Sequence, residues 1–130
     1  MIPYISAEHL VSVYAAPGAT GHAWAAVVHT PDATHTAADT MPSATEGEAL
    51  YTALAAALAR LPSDGQACVI LPSVSQAPFG LAAEVAEAIA SRAGTIEFYP
   101  DAACLGEAAV PLANAARSLA EATARGDGGA

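Results

Sequence analysis

A chain of 130 residues with 13 acids against 4 basic residues, a formal charge of −9, has room for one domain. Its residues are 54% apolar and only 13% charged, half the usual ~25%, which excludes a disordered acidic tail. It holds 36 alanines, 5% aromatics and no lysine, which excludes a basic nucleic-acid stripe and argues against a membrane-surface helix.

The first strong segment is Leu10 to Ala16 (LVSVYAA), where Leu10, Val11, Val13 and Tyr14 suit a strand and Pro17-Gly18 stops it. A second apolar run follows Gly21, from Ala23 to His29, and ends at Thr30-Pro31-Asp32. A third, Ala33 to Thr40, alternates threonine with Ala and His and reads as a more exposed strand. Connectors this short predict an antiparallel meander, closed by Pro42-Ser43.

From Ser43 the period changes. Ser43 or Thr45 can cap a helix whose first turn holds Glu46 and Glu48, where the helix dipole favours acids. Ala49, Leu50, Ala53, Leu54, Ala57, Leu58 and Leu61 then recur at i, i+3, i+4 spacing and make one apolar face. Pro62-Ser63-Asp64-Gly65 ends it. The continuous apolar run Ala67 to Leu71 predicts a central strand buried on both faces, terminated by Pro72. A second helix is predicted from Pro78 to Arg92, a fifth strand from Thr95 to Tyr99, and a last helix from Gly106 or Val110 to Ala124.

The order is βββαβαβα, a mixed five-stranded sheet flanked by helices. We expect a single α/β domain over residues 1–125 and a disordered tail at 126–130.

That order, with its landmarks, resembles the ribonuclease H fold family over about residues 10 to 121. In the family, strand one ends in Asp-Gly-Ser and a glycine-containing strand follows; here VSVYAAPG and GHAWAAVV stand in those places. The family's first helix opens with a catalytic Glu before an Ala-rich face. Here the segment is MPSATEGEALYTALAAAL, with Glu46 best placed and Glu48 the alternative. The family's fourth strand ends in Thr-Asp-Ser, and here VILPSVSQ carries no acid. Its final helix carries Asn-x-x-Ala-Asp-x-Leu-Ala. Here ANAARSLA keeps Ala116, Leu119 and Ala120 but sets Arg117 where Asp belongs.

The resemblance implies two Mg²⁺ ions held by four carboxylates, clamping both oxygens of a phosphodiester under hydrolysis. Magnesium demands clustered oxygen ligands. The matching positions offer Ala15 or Ala16, Glu46, Pro72 or Ser73, and Arg117. Alanine and proline cannot coordinate, Ser73 is a weak neutral ligand, and Arg117 brings positive charge. At ~5 Å and an effective dielectric of ~20, a +1/+2 pair repels by several kcal/mol. We therefore expect no resident cofactor, with Mg²⁺ or Mn²⁺ as the alternative, and Glu46 or Glu48 paired with Arg117 in place of a metal. Without function, acids in a first helical turn still favour the dipole by ~0.3–1 kcal/mol.

Other constellations are weaker. His29, Asp32 and His35 flank one turn and form a zinc- or nickel-like set without a fourth ligand. His9 and His22 read as surface or sheet-edge residues. Cys68 and Cys104 form no CxxC and are expected unpaired and partly buried. Ser73 and Ser75 follow a strand, where α/β proteins place chemistry, yet no G-x-S-x-G elbow is present.

Arg60, Arg92, Arg117 and Arg125 are the only strong bases, against the 6–10 phosphate contacts of a strong nucleic-acid binder. Trp24 and Tyr99 lie in predicted strands and read as core or sheet-face residues rather than base-stacking platforms. Nucleic-acid binding is expected weak or absent. No run approaches the ~18–20 apolar residues of a membrane span. The opening Met-Ile-Pro-Tyr-Ile-Ser lacks the features of a signal peptide, so the expectation is cytoplasmic.

The last helix presents Val110, Leu112, Ala113, Ala116, Leu119 and Ala120, which either cover the sheet or face a partner. The reading is a ribonuclease H-like scaffold with a degenerate site and a protein partner or homo-oligomeric state. The alternative is a metal-dependent nuclease using Glu46, Glu48 and Asp101 or Glu107. An acidic adaptor for a basic protein rests on charge alone.

Overall fold

The computed structural model describes residues 9–61, 66–71, 79–90, 96–99 and 107–125. Five strands form one sheet in the order β3-β2-β1-β4-β5. They are β1 (His9–Pro17), β2 (Gly21–His29), β3 (Thr34–Pro42), β4 (Ala67–Ile70) and β5 (Ile96–Tyr99). The first three make the expected antiparallel meander, while β4 pairs parallel to β1 and β5 parallel to β4. Helices α1 (Glu46–Arg60), α2 (Phe79–Ala90) and α3 (Val110–Arg125) complete the order read from the sequence. A 3₁₀ turn, Glu107–Ala109, leads into α3 and was not foreseen.

Strand alternation assigns the two layers. Val11, Val13 and Ala15 of β1, with Trp24, Ala26 and Val28 of β2 and Ala67 and Val69 of β4, face one side. There they meet Ala49, Leu50, Ala53, Leu54 and Ala57, the apolar face of α1, with Ile89 of α2 packed at the margin. On the other side Ala16 and Ala25 meet Ala120, and Cys68 and Ile70 meet Ala109. Both faces of β4 are therefore buried, which is why its sequence shows no alternation. Alanine on alanine lets α3 lie close to the sheet, with Ala116 and Ala120 fully buried. Its apolar face thus covers the sheet, and Val110 at its start is left 40% exposed.

The cap of α1 is Thr45 rather than Ser43. Thr45 Oγ1 accepts from the Glu48 amide at 3.2 Å, and Glu48 Oε1 accepts from the Thr45 amide at 2.8 Å. This reciprocal box satisfies two amides that the helix start leaves unpaired. Ser43 is used differently: at φ 65° it makes the tight turn out of β3, with its amide donating to Thr20 O at 2.7 Å. His9 corrects the expectation of a surface histidine. It is only 5% exposed because it opens the central strand, its amide donating to Gln66 O at 3.1 Å.

Among the described residues no helix is long and apolar enough to cross a membrane. The predicted tail, 126–130, lies outside the described residues.

Candidate functional site

The resemblance assigns its chemistry to the end of β1, the start of α1, the end of β4 and position 117 within α3. Strand parity separates the two β1 candidates. Ala15 belongs to the α1 side and is packed in that core, whereas Ala16 points to the α3 side and packs on Ala120. Arg117 lies over Tyr14 of β1, its guanidinium carbon 5.9 Å from the ring centroid. A cation over an aromatic face is attracted by the ring's quadrupole.

Arg117 also corrects the expected pairing with Glu46 or Glu48. Its Nε donates to Glu121 Oε2 at 3.1 Å, one turn along the same helix. The physical reason is proximity: residues i and i+4 are neighbours on a helix surface. The acids of α1, by contrast, start a helix on the opposite side of the sheet. Hydrogen bonding to the Glu121 carboxylate raises the Arg117 pKa above its ordinary value, and a guanidinium is charged at neutral pH in any case. With both side chains largely exposed, the pair itself adds little stability.

Glu46 is exposed in the first turn of α1, and Glu48 is half-buried. One Glu48 oxygen is committed to the Thr45 amide. Glu48 is thus a capping group, and its carboxylate is aimed at its own backbone. Glu107 is exposed in the 3₁₀ turn. Pro72, Ser73, Ser75, Arg92, Asp101 and Cys104 lie outside the described residues.

The histidine set does not assemble. His35 sits opposite Val28, whose side chain is in the α1-side core, while His29 sits opposite Thr34 one position on. Successive residues of a strand point to opposite faces, so His29 and His35 are divided by the sheet. His29 Nδ1 instead lies 2.9 Å from Thr34 Oγ1, and Asp32 is exposed in the turn. His22 Nδ1 donates to Ala44 O at 2.8 Å and ties β2 to the segment before α1.

Cys68 is buried and unbridged on the α3 side of β4. Burial pushes its thiol pKa up and the Glu97 carboxylate adds to this, with hydrogen bonding to Tyr99 opposing. A raised pKa leaves little thiolate at neutral pH, which makes Cys68 a poor nucleophile. Tyr99 donates to Glu97 Oε1 at 2.8 Å, and chiefly that bond pushes its phenol up to about 12. Trp24, 9% exposed, is a core residue as expected.

Two openings flank the β1–β2 turn. One, about 370 Å³, is lined by Ala16, Pro17, Gly18, Glu121, Ala124 and Arg125. The other, about 100 Å³, lies between that turn and the end of β3, with His22 and Thr40 on its wall. Among the described residues no group of three His, Cys, Asp or Glu is placed to hold a metal ion. What sequence reasoning missed was Tyr14. The signal was available in the alternation of β1, which sets Tyr14 and Ala16 on one face and Ala15 on the other.

No protein-family model and no curated protein matches the chain. Among solved structures it is similar to the N-terminal ribonuclease H domain of rv2228c from Mycobacterium tuberculosis, solved as a fusion with maltose binding protein. The likeness has a TM-score of 0.61 at 20% identity, over 88% of this chain and 98% of that one. The chain has a ribonuclease H-like fold.

Proposed function

We propose that this ribonuclease H-like chain has a degenerate nuclease site and acts as a binding or structural scaffold. One observation supports the reading: the guanidinium of Arg117, which the sequence resemblance sets at a carboxylate position, is held over Tyr14 and paired with Glu121. Two magnesium ions need several carboxylates aimed at common points. The donors among the described residues do not fit that demand: Glu48 is engaged by its capping box, and Ala15 and Ala16 offer no oxygen. The same holds for Mn²⁺, which also favours carboxylate and water oxygens. The buried, unbridged Cys68 suits a reducing compartment, in keeping with the cytoplasm. The deficit of basic residues supports weak or absent nucleic-acid binding and a protein partner.

The test is cleavage of a labelled RNA/DNA hybrid in millimolar Mg²⁺ or Mn²⁺, with Glu46→Gln run beside the parent chain. The expected result is no metal-dependent cleavage by either protein. Metal-dependent cleavage by the parent, lost in Glu46→Gln, would establish a nuclease with an atypical site and overturn the proposal.

A further inference from the structure

Beyond the reading of the nuclease site, and independent of it, the geometry points to the outer edge of β3 as a pairing surface for a second copy of this chain. β3 is a nine-residue strand at the edge of the sheet, paired with β2 in unbroken register, and among the described residues no strand pairs with its other side. Long edges of this kind template further strand pairing unless a bulge, charged side chains or proline blunt them. The chain contains no lysine, and β3 carries no bulge, a proline only at its last residue and Asp39 as its one acid.

The direction of each backbone amide fixes which pairings are open. Gly18 donates to Gly21 O at 2.8 Å, so this pair is hydrogen bonded. Bonded and non-bonded pairs alternate along an antiparallel ladder. In the observed registers, His22, Trp24, Ala26 and Val28 therefore bond outward to Met41, Asp39, Ala37 and His35. The amides of Thr34, Thr36, Ala38 and Thr40 then face away from β2. The Thr40 amide confirms it, since Asp39 Oδ1 accepts it at 2.8 Å.

Two-fold pairing must match outward-facing residues with outward-facing residues, which sets the axis on a residue. The longest overlap of Thr34–Pro42 centres it at Ala38, and one residue to either side it falls at Ala37 or at Asp39, the last setting two carboxylates against each other. At Ala38, Thr34 would meet the partner's Pro42, which has no amide, so this longer overlap makes no more backbone bonds than the Ala37 axis. It would also set Asp39 against the partner's Ala37. At Ala37, Thr34 bonds with the partner's Thr40 and Thr36 with the partner's Ala38. His35 then stands opposite the partner's Asp39 in a non-bonded pair, where side chains approach most closely. An imidazole N–H meets a carboxylate there, twice by symmetry. Asp39 gives up the Thr40 amide, which the carbonyl of the partner's Thr34 accepts. The product is a closed dimer with one continuous sheet.

The experiment uses the full chain. Sedimentation equilibrium is expected to show a concentration-dependent dimer. His35→Glu, which opposes two carboxylates, should weaken it about tenfold, and His35→Glu with Asp39→His should restore it. Ala37→Cys sets two thiols across a pair with Cα atoms ~4.5 Å apart, within disulfide range. Oxidised glutathione should link this variant far more than the parent or Ala38→Cys. A parent chain that stays monomeric into the high micromolar range overturns the proposal. So does a dimer indifferent to His35→Glu, or one that links equally through Ala37→Cys and Ala38→Cys.

Discussion

Gly21 is the place where backbone meets backbone. A Cβ there would collide with Met41 O and lie 2.5 Å from Ser43 N, and neither atom belongs to a side chain that can rotate away. Gly18, three residues earlier, has Ala124 O as its nearest neighbour at 3.5 Å, an ordinary contact. Gly21→Ala is therefore expected to cost about 1–3 kcal/mol or more, and Gly18→Ala within about 0.5 kcal/mol of nothing. Urea denaturation of both variants checks this, and equal midpoints would contradict it. Single residues were also where sequence reasoning reached least far. The Arg117–Glu121 pair is visible as an i,i+4 spacing, yet the comparison with a metal site drew attention to a distant partner instead. The choice between Ala15 and Ala16 depended on which sheet face α3 covers. That is a tertiary fact, as is the placement of Tyr14 under Arg117. The His29–Asp32–His35 reading failed because adjacency around a turn says nothing about sheet face.

At the scale of elements, starts and stops were well marked because local chemistry fixes them. The T-x-x-E spacing of Thr45 and Glu48 specifies the start of α1, and the structure contains both bonds of the box. Thr45→Ala should lower stability by about 1 kcal/mol, with Thr45→Ser close to the parent. Thermal or urea unfolding decides it, and an unchanged Thr45→Ala midpoint would contradict the box as a stabilising cap. Ser43, the rival cap in the sequence, was excluded by its left-handed conformation, which no propensity reveals. In α3, Pro111 sits in the first turn, where a missing amide is harmless. The 3₁₀ turn before it carries no sequence mark beyond Glu107 and two alanines. The apolar face of α3 turns toward the sheet, Ala120 packing on Ala16 and Ala25 of β1 and β2 and Ala116 buried one turn before it.

Across the whole molecule, the order βββαβαβα was legible because the apolar period switches from two to 3.6 at Ser43. Short turns then dictate the meander, and a helix between β3 and β4 permits the parallel β1–β4 pair. The architecture therefore followed from patterning, and the solved ribonuclease H domain agrees with it in fold. The chemistry did not follow, since fold does not fix function. Arg117, the residue the sequence resemblance sets at a carboxylate position, lies over Tyr14 on a chain of net charge −9. The central claim concerns that site, and divalent-metal linkage addresses it without assuming a substrate. Ligand that binds only the folded chain stabilises it by RT ln(1 + [L]/Kd), about 2.7 kcal/mol at a hundredfold excess over Kd. Thermal melting should be followed from a chelated sample to tens of millimolar Mg²⁺ and Mn²⁺. The expected midpoint moves no further than an ionic-strength control, in the parent and in Glu46→Gln alike. A saturating rise of several degrees that Glu46→Gln abolishes would contradict it and restore a working metal site to this fold.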